Sequence, residues 1–140
     1  MKKMIAMVVL LMVGVICSFA QDEERPFKAD LRCGQYAVTF HIDLYEESVT
    51  IPGQEFLGPV SGYLEGRING TWYVVKASID GNVATVKLIN DGGSETQDVQ
   101  LTYTNDGTYV FAQKGGVEIC YPKNRKYVKL PAELTFTRIR

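Results

Sequence analysis

Tyr36-Ala37-Val38-Thr39-Phe40-His41-Ile42-Asp43-Leu44 places Tyr36, Val38, Phe40, Ile42 and Leu44 on one face of an extended chain, and Ala37, Thr39, His41 and Asp43 on the other. That period of two marks a strand with one face against a core. Working outward from it, Val49 and Ile51 form a shorter run that Pro52-Gly53 stops, so a strand and then a turn are expected. A Gly- and Pro-interrupted segment fills residues 54–59, and an extended pattern resumes over 60–68. Asn69-Gly70 separates that run from 71–79, and Asn-Gly between two extended runs suits a type I′ hairpin because both central residues tolerate positive φ. Asp80-Gly81, Asn105-Asp106-Gly107 and Lys114-Gly115-Gly116 repeat the device before further runs at 83–89, 108–113 and 117–121. Runs at 127–130 and 134–139 flank Pro131 and finish the chain.

After the first 20 residues, apolar side chains nowhere recur at helical spacing over the length a globular helix needs. The connections are too short for parallel crossovers, so successive strands must be antiparallel neighbours. The fold expected is an all-β antiparallel meander of about eight to ten short strands, closed as a small lipocalin-like barrel or folded as a two-sheet sandwich, with the barrel preferred.

The chain opens with Met1-Lys2-Lys3, an apolar stretch from Met4 to Ile16, and Ser18-Phe19-Ala20. A charged start, an apolar middle and a small-x-small end are the parts of a bacterial signal peptide, and residues 1–20 are read as one, cut after Ala20. The apolar stretch is shorter than the roughly 20 residues of a membrane-spanning helix, so no membrane span is expected after cleavage. Cys17 raises a lipoprotein signal, against which stands Ile16, since a small residue normally precedes an acylated cysteine. The protein is thus expected in the periplasm or outside the cell, with residues 21–28 as a flexible N-terminal tail and 29–140 as a single all-β domain. Removing Lys2 and Lys3 from the 15 basic residues leaves 13 against 16 acidic ones, a formal charge of −3. With Lys123-Asn124-Arg125-Lys126 as the densest basic cluster, read as a solvated loop, nucleic acid is a poor partner.

Cleavage removes Cys17 and leaves Cys33 and Cys120, and an even pair in an exported chain points to a disulfide between them. The bridge would close a loop of about 87 residues. No metal site follows from two isolated cysteines and the distant His41, the single histidine.

Catalytic chemistry finds little to stand on. His41 lies opposite the apolar face of its strand and reads as solvent-facing. No Gly-x-Ser-x-Gly elbow, His-Glu-x-x-His run, phosphate-binding loop or dinucleotide fingerprint occurs. Asp43, Glu46, Glu47, Glu55 and Glu65 offer carboxylates for a glycosidase couple, but no spacing singles out two of them. The segment 90–95 offers oxygen ligands but breaks the alternation of a calcium loop, and reads first as a hairpin turn. The protein is therefore expected to be non-catalytic and to need no cofactor.

An aromatic and apolar excess remains. Trp72-Tyr73-Val74-Val75 is apolar on both faces of its strand, so it is buried on both sides, lines a cavity or meets a partner. Phe56 and Leu57 put two large apolar side chains into a connection that should be wet, which marks a contact surface or a flap over the core.

From Ser61-Gly62-Tyr63, and loosely through residues 70–75 and 81–86, the sequence resembles the periplasmic inhibitors of c-type lysozyme. Those are small disulfide-tied β-barrels that set a Ser-Gly-containing loop against the lysozyme active site. The resemblance covers about a quarter of the chain and implies envelope localisation, inhibition of a lysozyme or another cell-wall hydrolase, and contact roles for Ser61 and Tyr63. Here Tyr63-Leu64-Glu65 follows the Ser-Gly pair at once, a departure from the family's loop. The reading from the residues themselves is an exported binding protein recognising a protein, a glycan or a small apolar ligand through Phe56, Leu57, Tyr63 and Trp72. A ligand-carrying barrel should have small or polar residues on an inner face, whereas an inhibitor should carry a protruding loop on a filled core.

Overall fold

A computed structural model describes residues 25–93, 95–104 and 106–140. The expected signal segment 1–20, with the first part of the expected tail, lies outside the described residues. The strands are β1 (Lys28–Cys33), β2 (Val38–Asp43), β3 (Gly62–Gly66), β4 (Trp72–Asp80), β5 (Val83–Asn90), β6 (Thr96–Tyr103), β7 (Thr108–Gly116), β8 (Cys120–Lys123), β9 (Lys126–Lys129) and β10 (Glu133–Arg138). Eight of them close an antiparallel barrel in the order β1-β10-β7-β6-β5-β4-β3-β2, while β8 and β9 pair only with each other. The barrel, rather than the sandwich, is the fold. Its one departure from a simple meander is the β8–β9 hairpin, which leaves the wall after β7 before β10 returns to it.

The alternation read from residues 36–44 sets the wall. Val38, Phe40 and Ile42 point inward from β2 and are buried. In β5 and β6 the same period buries Ala84, Val86 and Leu88, and Val99 and Leu101. Phe40, Phe111 and Phe136 meet across the interior, with ring centroids 5.8 Å apart for the first pair and 5.2 Å for the second. Leu31, Leu64, Trp72, Leu88 and Leu101 pack into the same cluster. The barrel core is filled with large side chains, as eight strands leave room for little else.

Three turns show how local chemistry meets long-range demand. Asp80 pairs with Val83, so the β4–β5 turn is Gly81-Asn82, with Gly81 at φ 61° in the first central position. That is the type II′ arrangement rather than type I′. Asn69-Gly70 is not a two-residue hairpin: β3 and β4 share only the pairs Tyr63–Tyr73 and Leu64–Trp72, and residues 67–71 make a wider connection. The reason is that Asn69 has other partners. Its N–H donates to the Cys120 carbonyl and its Oδ1 accepts the Cys120 N–H, both at 3.0 Å, while its own carbonyl accepts Asn90 Nδ2 at 2.8 Å. Val49 and Ile51 do not build a strand either; Val49 makes an isolated bridge to Val60.

Two expectations are corrected at the barrel's ends. Order begins before residue 29, because Phe27 is wholly buried and plugs the end from which β1 starts. Its ring meets Tyr109 edge-on at 6.4 Å, its carbonyl accepts the Leu44 N–H at 3.0 Å, and the Tyr109 hydroxyl donates to the Pro26 carbonyl. The disulfide is also absent: Cys33 and Cys120 are both free. Inward alternation along β1 buries the Cys33 side chain in the core, whereas Cys120 starts the hairpin with its Sγ 3.6 Å from the Glu118 carbonyl. Residue count and compartment carry no information on which way a strand turns its thiol.

Burial pushes the Tyr109 phenol up to about 12. An ordinary tyrosine ionises near pH 10, so above about pH 10 the unfolded chain loses this proton while the folded one keeps it, and the stability tied to the neutral phenol fades as pH rises toward 12. Urea midpoints should therefore drop between about pH 9 and 11.5, and Tyr109→Phe should drop less over the same range. The cysteine correction is checked by alkylation without reductant. Cys120 should label in the native protein, slowly near neutral pH because burial and the Glu118 carboxylate raise its thiol pKa, and Cys33 only in denaturant. No label on either in denaturant would restore the bridge.

Candidate functional site

The 44–61 connection between β2 and β3 is held by the buried Asp43 at its root. The Asp43 carboxylate accepts the Ser48 hydroxyl at 2.6 Å and the backbone N–H groups of Tyr45 and Glu46 at 3.3 and 3.2 Å. The Val49–Val60 bridge closes the base, and Ile51 is buried although it belongs to no part of the barrel core. At the tip Gln54 Nε2 donates to Asp91 Oδ2 at 3.3 Å. Asp91 lies past β5, at the end of the barrel opposite the loop's root, so the loop folds back along the wall instead of rising from the rim. A single 3-10 turn, Glu55–Leu57, follows, and Gly58 at φ 76° ends it. The Glu55 carboxylate accepts the Gly53 N–H at 3.1 Å, and such backbone bonds lower its pKa. This pinned tip presents Phe56, 83% exposed, and Leu57, 39% exposed. A fixed loop loses little entropy on meeting a partner.

On the outer wall, cross-strand register lines up Asp30, His41 and Tyr63 from β1, β2 and β3. His41 Nδ1 is 2.8 Å from Asp30 Oδ1, its Nε2 is 3.2 Å from Glu65 Oε1, and its ring stacks on Tyr63 at 4.5 Å. His41 is thus half-buried and bonded at both nitrogens, not simply solvent-facing. The arrangement clamps three strands. Burial, helped by Glu65 and Asp30, raises the Tyr63 phenol pKa. Asp43, Glu55 and Glu65, three of the carboxylates available for a glycosidase couple, are committed to these local bonds.

At the other end, the hairpin leans over the β1–β2 turn and leaves a groove of about 660 Å³. Gln35 and Tyr36 line one side, Tyr121, Lys123 and Asn124 the other, with Arg67 between them. The rings of Tyr36 and Tyr121 meet edge-on at 5.1 Å. Ala37, Asn124 and Arg125 are the non-glycine residues with positive φ among the described residues, and all three sit at this groove or beside it. A non-glycine residue held there costs about 1 kcal/mol or more, and such strain gathers at sites where a side chain must be aimed. Ala37 is held by its carbonyl, which accepts the Arg67 N–H at 3.1 Å and presses so closely on Gly66 that a Cβ there would lie 2.1 Å from it.

The structure sorts the residues picked from the sequence. Phe56 and Leu57 share an exposed tip. Ser61 is at the loop's base, its carbonyl accepting the Asp43 N–H at 2.8 Å, and not on a protruding segment. Tyr63 is buried in the outer wall. Trp72 is wholly buried inside the barrel. The two-faced apolar run 72–75 is explained by a register shift between Val74 and Lys76, which leaves Val75 as an exposed bulge. The groove was missed, its only sequence signal being the basic run 123–126, because its walls come from three distant turns. No protein-family profile matches the chain, and comparisons with curated proteins and with solved structures return no match.

The Trp72 indole N–H is buried with no hydrogen-bond partner among the described groups. Losing it offsets part of the volume lost in Trp72→Phe, so that variant should stay within about 1 kcal/mol of the parent, while Trp72→Ala should cost about 3–5 kcal/mol. Urea denaturation reads both.

Proposed function

We propose that this chain is an exported, non-catalytic binding protein that recognises a partner protein with the pinned 44–61 loop on a filled barrel. The observation that carries the reading is Phe56, a large aromatic side chain held almost wholly in water by a loop that is itself tied down at base, middle and tip. A fixed aromatic anchor fits a pocket on a partner surface, the usual form of a dominant interface contact. The packed interior argues against the small-ligand carrier, which needs its space inside. Resemblance to the lysozyme inhibitors makes a c-type lysozyme the first partner to assay, with the contact moved from Ser61 to the Phe56 tip.

The test is native mass spectrometry of the mature protein recovered gently from its own envelope or culture medium, for the parent and for Phe56→Ala/Leu57→Ala. Both side chains are exposed, so the variant should keep the parent's urea midpoint. A co-purifying protein should be present with the parent and lost with the variant, its affinity falling at least tenfold. Equal capture by both, or a bound small molecule in place of a protein, overturns the reading.

A further inference from the structure

We propose that the groove between the β8–β9 hairpin and the β1–β2 turn binds an acidic saccharide, with Arg67 and Lys123 taking its anionic group. The proposal concerns residues other than those of the Phe56 loop and stands without it.

Charge comes first. Arg67 and Lys123 both line the groove and no carboxylate does. Neither cation forms an ion pair among the described residues, although Lys129 on the same hairpin pairs with Glu118. In a chain with more acidic than basic residues, a concave surface that gathers two uncommitted cations favours an anion. A guanidinium offers a planar fork to a carboxylate or sulfate, and an ammonium adds a point charge beside it.

The remaining groups select the kind of anion. Gln35 and Asn124 carry side-chain amides that both donate and accept, and the phenols of Tyr36 and Tyr121 do the same. Such groups match neighbouring hydroxyls, which donate and accept in turn. Pro122 adds an apolar surface for the C–H face of a ring. The two tyrosine rings lie 72° apart, edge to face, and do not form the parallel slot that would sandwich a flat base. The volume falls within the range of about 300–1,000 Å³ usual for small-molecule sites.

The site is also built rather than incidental. Asn124 and Arg125, at φ 54° and 65°, form the two-residue tip between β8 and β9, where a type I′ turn ordinarily has glycine second. Ala37 is held in the same left-handed region across the groove. The Lys123–Lys126 pair closes the hairpin turn on one wall and the Arg67 N–H bond to the Ala37 carbonyl holds the other, so both walls are set before a ligand arrives, which lowers the cost of binding.

The experiment immobilises the full mature chain and passes over it a panel of oligosaccharides bearing uronate, sialate or sulfate groups, their neutral counterparts, inorganic phosphate and a glutamate-rich hexapeptide. Arg67→Gln/Lys123→Gln is compared with Lys76→Gln/Lys87→Gln, which removes the same charge from exposed positions on the outer wall. At least one acidic saccharide should bind, more tightly than its neutral counterpart and than phosphate, and should lose at least tenfold in affinity in the groove variant but not in the wall variant. Retention of no acidic saccharide overturns the proposal, as does equal loss in both variants. Phosphate binding as tightly as any saccharide would mark a bare anion site, and preference for the hexapeptide would mark a protein contact; either overturns it.

Discussion

Filling the barrel with aromatic side chains is the constraint on which the remaining structure depends. Phe40, Phe111 and Phe136 come from β2, β7 and β10, so one layer of rings joins strands from both halves of the chain. It does so beside the seam where the barrel closes, and there β1 and β10 share only the pairs Leu31–Arg138 and Arg32–Thr137. The Ile139 N–H adds a bond to the Asp30 carbonyl at 2.8 Å, and burial of the ring layer adds apolar stabilisation across the same seam. With the space used up, what the barrel offers to solvent lies outside it: the loop along its wall and the hairpin at its end.

What could be read beforehand follows from how local each decision is. Alternation in residues 36–44 is a property of neighbours in sequence, and β2 has the inward face it predicts. Glycine at position 81 ends a strand wherever the strand lies. Asn69-Gly70 carries the same letters, but Asn69 is drawn into three hydrogen bonds with Cys120 and Asn90, residues distant in the chain. Phe27 reads as part of a flexible tail because the cavity it plugs exists only once eight strands have closed. Cys33 and Cys120 failed as a pair for a related reason, since strand parity, not count, turned one thiol into the core.

The same division applies to the candidate site. Phe56 and Leu57 were legible because large apolar residues beside glycine and proline contradict their own surroundings, a conflict visible in one short window. Trp72 and Tyr63 show the opposite case. Both are aromatic residues in strands, and register alone decides that one fills the interior while the other lies against His41 on the outside. The groove joins residues 34–37, 67 and 121–124, and no reading along the chain brings those together.

The hairpin that forms one wall of the groove divides its work along its length. At Gly116, with φ 109°, the chain turns out of β7 so close to the Thr96 carbonyl that a Cβ would lie 2.3 Å from it. Buried Gln97 fixes the exit: its Nε2 donates to Gln113 Oε1 at 3.0 Å, and that oxygen also accepts the Ile119 N–H at 2.9 Å. Ile119 and Leu130, joined by a 2.9 Å backbone bond, are buried in the core, so the base of the hairpin is part of the barrel's packing. Beyond them every residue of β9 is exposed. Substitutions at the base are felt by the fold, whereas the exposed side chains of β9 can change their charge at little cost to stability. An up-and-down barrel that needs its interior for packing carries in this way an exposed hairpin tip free of the core.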